Sequence, residues 1–240
     1  MKNLKILLVL LTVLLLSSGH SFSQNCKAID ANRLALPVLR KQIATMEIVL
    51  NRTDSYIKLN NQTIKFDMGE HEVQGPARKW IYYVNDVQSI RGKNNLSYEN
   101  GQFYLTIEFE GNESEIKGKC PGCMKGRRDK RAPDFNWKSP RIAKIRLKPI
   151  AYNGSIAFNV EKVDLIGKFE MGGKLDILIP MLNAIEIKLK NEIEKQTRKI
   201  LNLPQNKAAM AKAFEGFVKM NRLERVSSVY TSGNKLFFCE

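Results

Sequence analysis

Histidine is nearly absent from this sequence. Among 240 residues only His20 and His71 occur, so arrangements that rely on an imidazole base have almost nothing to draw on. His71 lies between Glu70 and Glu72, a setting that suits an exposed turn as well as a site. A second Cys-x-x-Cys or a His pair is also missing. Cys120-Pro-Gly-Cys123 therefore lacks the two further ligands that a zinc site needs, and neither a metal nor a cofactor is expected. Acidic residues are in deficit: 24 Asp and Glu face 39 Lys and Arg, for a net charge of +15. Such an excess favours acidic partners, whether anionic lipid, lipopolysaccharide or acidic glycan.

What the sequence does have begins at its first residues. Lys2 and Lys5 precede an uncharged run from Ile6 to Leu16, and Ser17-Ser18-Gly19 and Ser21–Gln24 follow. A basic start, an apolar middle and a small polar end are the parts of a secretory signal peptide. The run is about half the roughly 20 residues of a membrane anchor, and no later stretch reaches that length. Residues 1–24 are thus expected to be cleaved, with residues 25–240 forming one exported domain, periplasmic or extracellular. Export sets nucleic acid aside as a partner and removes His20. Gln24-Asn25 before Cys26 does not fit a lipoprotein signal. Four cysteines in an oxidising compartment point to disulfides.

The pattern along the domain is mostly that of strands. Leu36, Leu39, Ile43, Met46 and Leu50 predict a helix over Ala28–Leu50, with Pro37 as its weak point. Tyr56–Met68 reads as a hairpin around Asn60-Asn61, and Lys79–Ile90 as a strand. Phe103, Leu105, Ile107 and Phe109 alternate with polar residues after an Asn100-Gly101 turn. Ala143, Ile145 and Leu147 alternate likewise, and Asn153-Gly154 turns into Ile156, Phe158 and Val160. There the alternation slips by one residue, which predicts a bulge near Glu161-Lys162. Lys117–Asp134 is punctuated by Gly and Pro and reads as a loop. Leu223–Glu240 closes the chain as two strands around Thr231–Asn234.

Between them lies a long helical stripe. Leu178, Leu182, Ile185, Leu189, Ile193 and Ile200 recur at helical spacing after Pro180. Met181, Ala184 and Ile187 widen its apolar face, and Glu186–Lys190 and Glu194–Arg198 are spaced as i,i+4 pairs. A shorter helix follows over Asn206–Lys219. Helix, run of antiparallel strands, long helix, hairpin: this order argues for an α+β fold.

The order, with the segment Asp176–Lys195, resembles the tubular lipid-binding superfamily, the family of bactericidal/permeability-increasing protein-like domains. The resemblance implies a long, strongly curled antiparallel sheet wrapped around the long helix, closed by an N-terminal helix and a final β-hairpin. It also implies a groove for a lipid or another apolar molecule, lined by Leu178, Leu182, Ile185, Leu189 and Ile193. It has no counterpart for the Cys120–Asp134 loop.

That loop carries two further features. Cys120 and Cys123 are close enough to form a small structural disulfide. A redox motif would want a strand before it and a helix after it, and pairing with Cys26 or Cys239 stays open. Lys125, Arg127, Arg128, Lys130 and Arg131 form a basic cluster suited to an anionic membrane surface, or simply a solvated loop. The leading expectation is a non-enzymatic lipid or apolar-ligand binder. The alternatives are an envelope structural or adhesive protein using the basic loop, and a thiol–disulfide enzyme using the Cys120–Cys123 pair.

Overall fold

Three Asn-led turns join six of the strands into hairpins. In the computed structural model, which describes residues 26–75, 78–111, 115–123, 132–171 and 179–240 (the side chains of 179–182 excepted), each holds two left-handed residues. Asn60 and Asn61 have φ of 47° and 62°, Asn100 and Gly101 50° and 80°, Asn153 and Gly154 52° and 77°. Two such residues make the tight hairpin turn that matches strand twist. They join β3 (Ser55–Leu59) to β4 (Gln62–Phe66), β8 (Asn95–Glu99) to β9 (Gln102–Glu108), and β12 (Ile142–Tyr152) to β13 (Ser155–Ile166).

The N-terminal segment departs from the expected helix. It divides into β1 (Cys26–Asp30), a π-helical turn (Ala31–Ala35), helix α1 (Leu36–Ala44) and β2 (Glu47–Leu50). Asp30 accepts a hydrogen bond from the Arg33 backbone N–H at 2.7 Å, which caps the turn in the usual Asp manner. Pro37 sits in the first turn of α1, where its missing N–H costs nothing. Beyond Thr45 the β-branched Ile48 and Val49 favour extension.

The expected strand Lys79–Ile90 also divides, into β6 (Lys79–Val84) and β7 (Val87–Gln88). Asp86, with φ of 48°, turns the chain between them, and the two pieces join different sheets. One sheet runs β14-β11-β10-β6-β5, adding β5 (His71–Gln74), β10 (Ile116–Lys119), β11 (Phe135–Trp137) and β14 (Phe169–Met171). A second runs β13-β12-β9-β8 and a third β4-β3-β2-β7. The last is β1-β16-β15, with β15 (Ser228–Ser232) and β16 (Lys235–Cys239). Pairing within each is antiparallel.

The expected loop over Lys117–Asp134 is corrected at its start, because β10 pairs with β6 there. Gly118 makes that pairing possible. A Cβ on it would lie 2.8 Å from the carbonyl oxygens of both Ala132 and Pro133, so the returning chain passes against bare backbone.

The bulge falls where the alternation slips. Arg146 pairs with Lys162 and Leu147 with Val160, leaving Glu161 unmatched. The extra residue keeps Phe158, Val160, Val163 and Leu165 all buried despite their broken parity. Backbone bonds from Ile90 N to Glu108 O and from Glu110 N to Gln88 O, each 2.8 Å, carry β7 onto β9. The result is an α+β fold of mostly antiparallel sheets with few helices, one sheet being strongly curled into a half-barrel.

Among the described residues, three helices lie in the C-terminal half: α2 (Ile179–Leu201), α3 (Pro204–Ala213) and α4 (Glu215–Met220). The single helix expected over Asn206–Lys219 breaks at Phe214, whose φ of −99° and ψ of 3° let its ring reach Phe158 at 5.4 Å between centroids. α2 packs on β13, β14 and β5, and two expectations for it are corrected. Ile187 is 61% exposed and Ala184 is exposed, so the buried stripe is narrow. Glu186 Oε1 accepts from the Phe169 N–H at 2.9 Å, and Glu194 Oε1 from the Leu165 N–H at 2.7 Å. The two glutamates thus cap strand backbone that has no strand partner on that side. Asn202 does the same at Val160, accepting from its N–H at 2.9 Å and donating to its C=O at 2.8 Å.

Two disulfides are formed, Cys120–Cys123 and Cys26–Cys239, the latter joining directly opposed residues of β1 and β16. No helix among the described residues is long and apolar enough to cross a membrane.

Candidate ligand cavity

The inward faces of the sheets converge on an apolar cavity of about 120 Å³. The β4-β3-β2-β7 sheet supplies Ile48 and Ile57, and the β13-β12-β9-β8 sheet Ile107, Ile145 and Val163, among others; α2 supplies Ile193, Thr197, Ile200 and Leu201. Met210 of α3 and Phe214 beyond it close the end nearest the shorter helices. Among the described residues, every wall residue except Glu115 and Thr197 is apolar.

Strand alternation explains why. Residues i and i+2 share a face, so Phe103, Leu105, Ile107 and Phe109 all turn inward from one strand and its end while Tyr104, Thr106 and Glu108 stay partly in water. The same parity turns Ala143, Ile145 and Leu147 inward from β12. An aromatic chain backs one part of the interior: Tyr98, Phe103, Phe158 and Phe214 follow one another at 4.8, 5.7 and 5.4 Å.

Most of the wall is deeply buried, but Leu50, Ile57, Phe66, Thr197 and Met210 are only half-buried. They place the cavity's wetter side between the β2–β3–β4 strands and the C-terminal part of α2. Glu115, 1% exposed, is the one charged residue among the described wall residues. Its Oε2 accepts from the Trp137 N–H at 3.0 Å and its Oε1 lies 3.5 Å from Arg141 Nε. The carboxylate is therefore engaged in tying β10, β11 and the start of β12 together, as a buried charge must be.

Of the five residues expected to line a groove, Ile193 lies on the cavity wall. Ile185 and Leu189 are buried, at 3% and 0% exposure, but outside that wall. The side chain of Leu182 and the whole of Leu178 lie outside the described residues. Thr197, Ile200 and Leu201 were missed as lining. Ile200 continues the same stripe as Ile193, and that continuation was the available signal.

Another part of the interior, away from the cavity wall, is partly polar. α2 packs on β5, and His71 of β5 pairs with Tyr82 of β6. Both are buried, at 7% and 0% exposure, and neither His71 Nε2 nor the Tyr82 hydroxyl has a hydrogen-bond partner. Burial lowers the His71 pKa from its ordinary 6.5, against a raising influence from Glu192 on α2. Burial likewise pushes the Tyr82 phenol up, with Asp134 adding to it. The expectation that His71 suits an exposed turn is thereby corrected.

The basic cluster Lys125, Arg127, Arg128, Lys130 and Arg131 lies outside the described residues. The basic residues just before it are balanced: Lys119 pairs with Glu70, as does Arg52 at 2.6 Å, and Lys117 lies 3.6 Å from Asp134. Cys120 is 4% exposed and Cys123 half-buried. Among the described residues no group of three or more His, Cys, Asp or Glu side chains could hold a metal ion. No protein-family model matches this chain, and no curated protein or solved structure does.

Proposed function

We propose that this is an exported, non-enzymatic protein that holds a hydrocarbon chain, from a lipid or a similar apolar molecule, between its curled sheet and its long helix. The carrying observation is the cavity wall. Its described residues are apolar except for Thr197 and the already-bonded Glu115, so beyond the Thr197 hydroxyl they reward mainly the removal of hydrocarbon from water. Its size narrows the guest. About 120 Å³ is comparable to an engineered cavity of about 150 Å³ that stays dry and accepts benzene. It is below the roughly 300–1,000 Å³ of sites for drug-sized ligands. The guest is therefore the end of a chain, with any polar head outside, beside Leu50, Phe66 and Met210.

On this reading the sheet wraps the helix as in the tubular lipid-binding superfamily, with α1 and the β1–β16–β15 sheet as its closures. Two disulfides and the signal-like first 24 residues support an oxidising, exported setting. A thiol–disulfide enzyme is less well supported. The first cysteine of the pair is the buried one, whereas an attacking thiolate needs access.

Protein purified from its native host would be extracted with organic solvent and the extract analysed by mass spectrometry. A stoichiometric acyl-chain compound is the expected result. A clean extract, together with no uptake of a fluorescent apolar probe by the purified protein, would sink the reading.

A further inference from the structure

The long helix carries five basic residues, Lys188, Lys190, Lys195, Arg198 and Lys199, and three acidic ones, Glu186, Glu192 and Glu194. In sequence this is a mildly basic helix. The fold sorts the two signs onto different faces. Glu186 and Glu194 are turned onto the sheet, where they accept from the Phe169 and Leu165 N–H groups. Glu192 is half-buried on the side facing His71.

The exposed positions are then Asn183, Ala184, Ile187, Lys188, Asn191, Lys195, Arg198 and Lys199. They fall at three- and four-residue intervals and form one stripe along the helix. It has four cations and no carboxylate. Its basic part, Lys188 to Lys199, spans about 16 Å at 1.5 Å per residue. Neighbouring carboxylates on β13 are already engaged: Glu161 with Arg146 at 3.2 Å, and Asp164 with Lys162 at 2.7 Å. Among the described residues, Glu192 is the carboxylate that pairs with the stripe, 3.8 Å from Lys195. At one end stands Ile187, 61% exposed, beside Ala184.

We infer that this outer stripe of α2 is a docking surface for an anionic lipid bilayer. Charge complementarity selects the partner. Lys188, Lys195, Arg198 and Lys199 meet lipid phosphates and carboxylates at the surface, as clustered cations on a helix do. Ile187 enters the boundary between headgroups and chains, the shallow burial that interfacial helices use. The opposite side of the same helix lines the cavity through Ile193 and Thr197, so docking would hold the proposed ligand site against a source of chains. The inference does not require an occupied cavity. Lipid extraction reads the cavity, and vesicle binding reads the outer stripe.

The test is co-sedimentation of the purified protein with vesicles of phosphatidylcholine alone and of phosphatidylcholine with phosphatidylglycerol. Binding is expected only to the second, and it should fall away at about 0.5 M salt, where charges are screened within a few ångströms. The combined variant Lys188→Glu, Lys195→Glu, Lys199→Glu should bind about tenfold or more weakly. The same three positions changed to Gln, with the urea midpoint confirming the fold, should give an intermediate loss. An Ile187→Trp variant should gain a blue-shifted emission over the parent with anionic vesicles alone. Three outcomes would each overturn the proposal: no binding to anionic vesicles; binding that the triple variants leave unchanged; or retention on an acidic polysaccharide, sensitive to these variants, while vesicles are ignored.

Discussion

Along the 23 residues of the long helix, the first half and the second meet different surfaces. Ile185 and Leu189 are buried away from the cavity wall. Four residues further on, Ile193 begins the wall of an open cavity that continues through Thr197, Ile200 and Leu201. The apolar stripe has the same chemistry in both halves. What changes is the opposing surface. The first half is buried off the cavity, while the second faces described wall residues that are aliphatic or aromatic except for Glu115. One helix is thus buried off the cavity at one end and lines it at the other.

Substitutions can break or sharpen this contrast. The largest effect is expected at Leu189, fully buried in the half off the cavity. Leu189→Ala should cost about 3 kcal/mol in urea unfolding, the ordinary loss for a core leucine. Ile193→Ala should cost less, about 1.5 kcal/mol, because one side of Ile193 already faces space and gives up fewer contacts. Uptake of an apolar fluorescent probe should rise in the Ile193 variant and stay level in the Leu189 variant. Equal costs at the two positions would remove the distinction between the halves.

Filling the cavity should act in the opposite direction. Thr197→Leu is expected to raise stability by about 1 kcal/mol, as cavity-filling changes commonly do, and to reduce probe uptake. A proton-linked difference comes next. Burial holds the folded-state pKa of His71 below 6.5. Neutral His71 therefore keeps its full contribution above about pH 6.5, and that contribution drains away as pH falls from there toward the lowered folded value. Urea midpoints at pH 7.5 and 5.5 should differ more for the parent than for His71→Phe, while carboxylate titration affects both alike. The smallest effect is at Tyr82. Its hydroxyl has no hydrogen-bond partner, so Tyr82→Phe should be neutral or stabilising by under about 1 kcal/mol. A clear destabilisation would mean that the hydroxyl is satisfied after all.

How legible these features were depended on how local their causes are. The Asn60-Asn61, Asn100-Gly101 and Asn153-Gly154 turns could be read because left-handed backbone selects Asn and Gly in place. The bulge at Glu161 could be read because a parity slip is itself a sequence pattern. The strand Cys26–Asp30 could not, since its partner is β16 at the other end of the chain. The split of Lys79–Ile90 was hidden for a similar reason, because both pieces are good strand sequence and only the sheets they join differ. Glu186 and Glu194 look like half of two i,i+4 pairs until strand edges without neighbours claim them. The cavity was least visible of all. The stripe on α2 shows which side is dry, but empty space between a helix and a sheet depends on every side chain around it.

The bond between Cys26 and Cys239 has a mechanical consequence. It joins the first and last described strands where they lie side by side, so the chain between them is a closed ring. Tension applied on either side of that ring runs through one sulfur–sulfur bond and leaves the hydrogen-bonded ladders unloaded. Oxidised, the molecule should behave under a pulling force as a short link of fixed length. Reduced, the same force would peel β1 from β16 and then reach α1. The ends of the fold are thus insulated from whatever pulls on the sequence outside it.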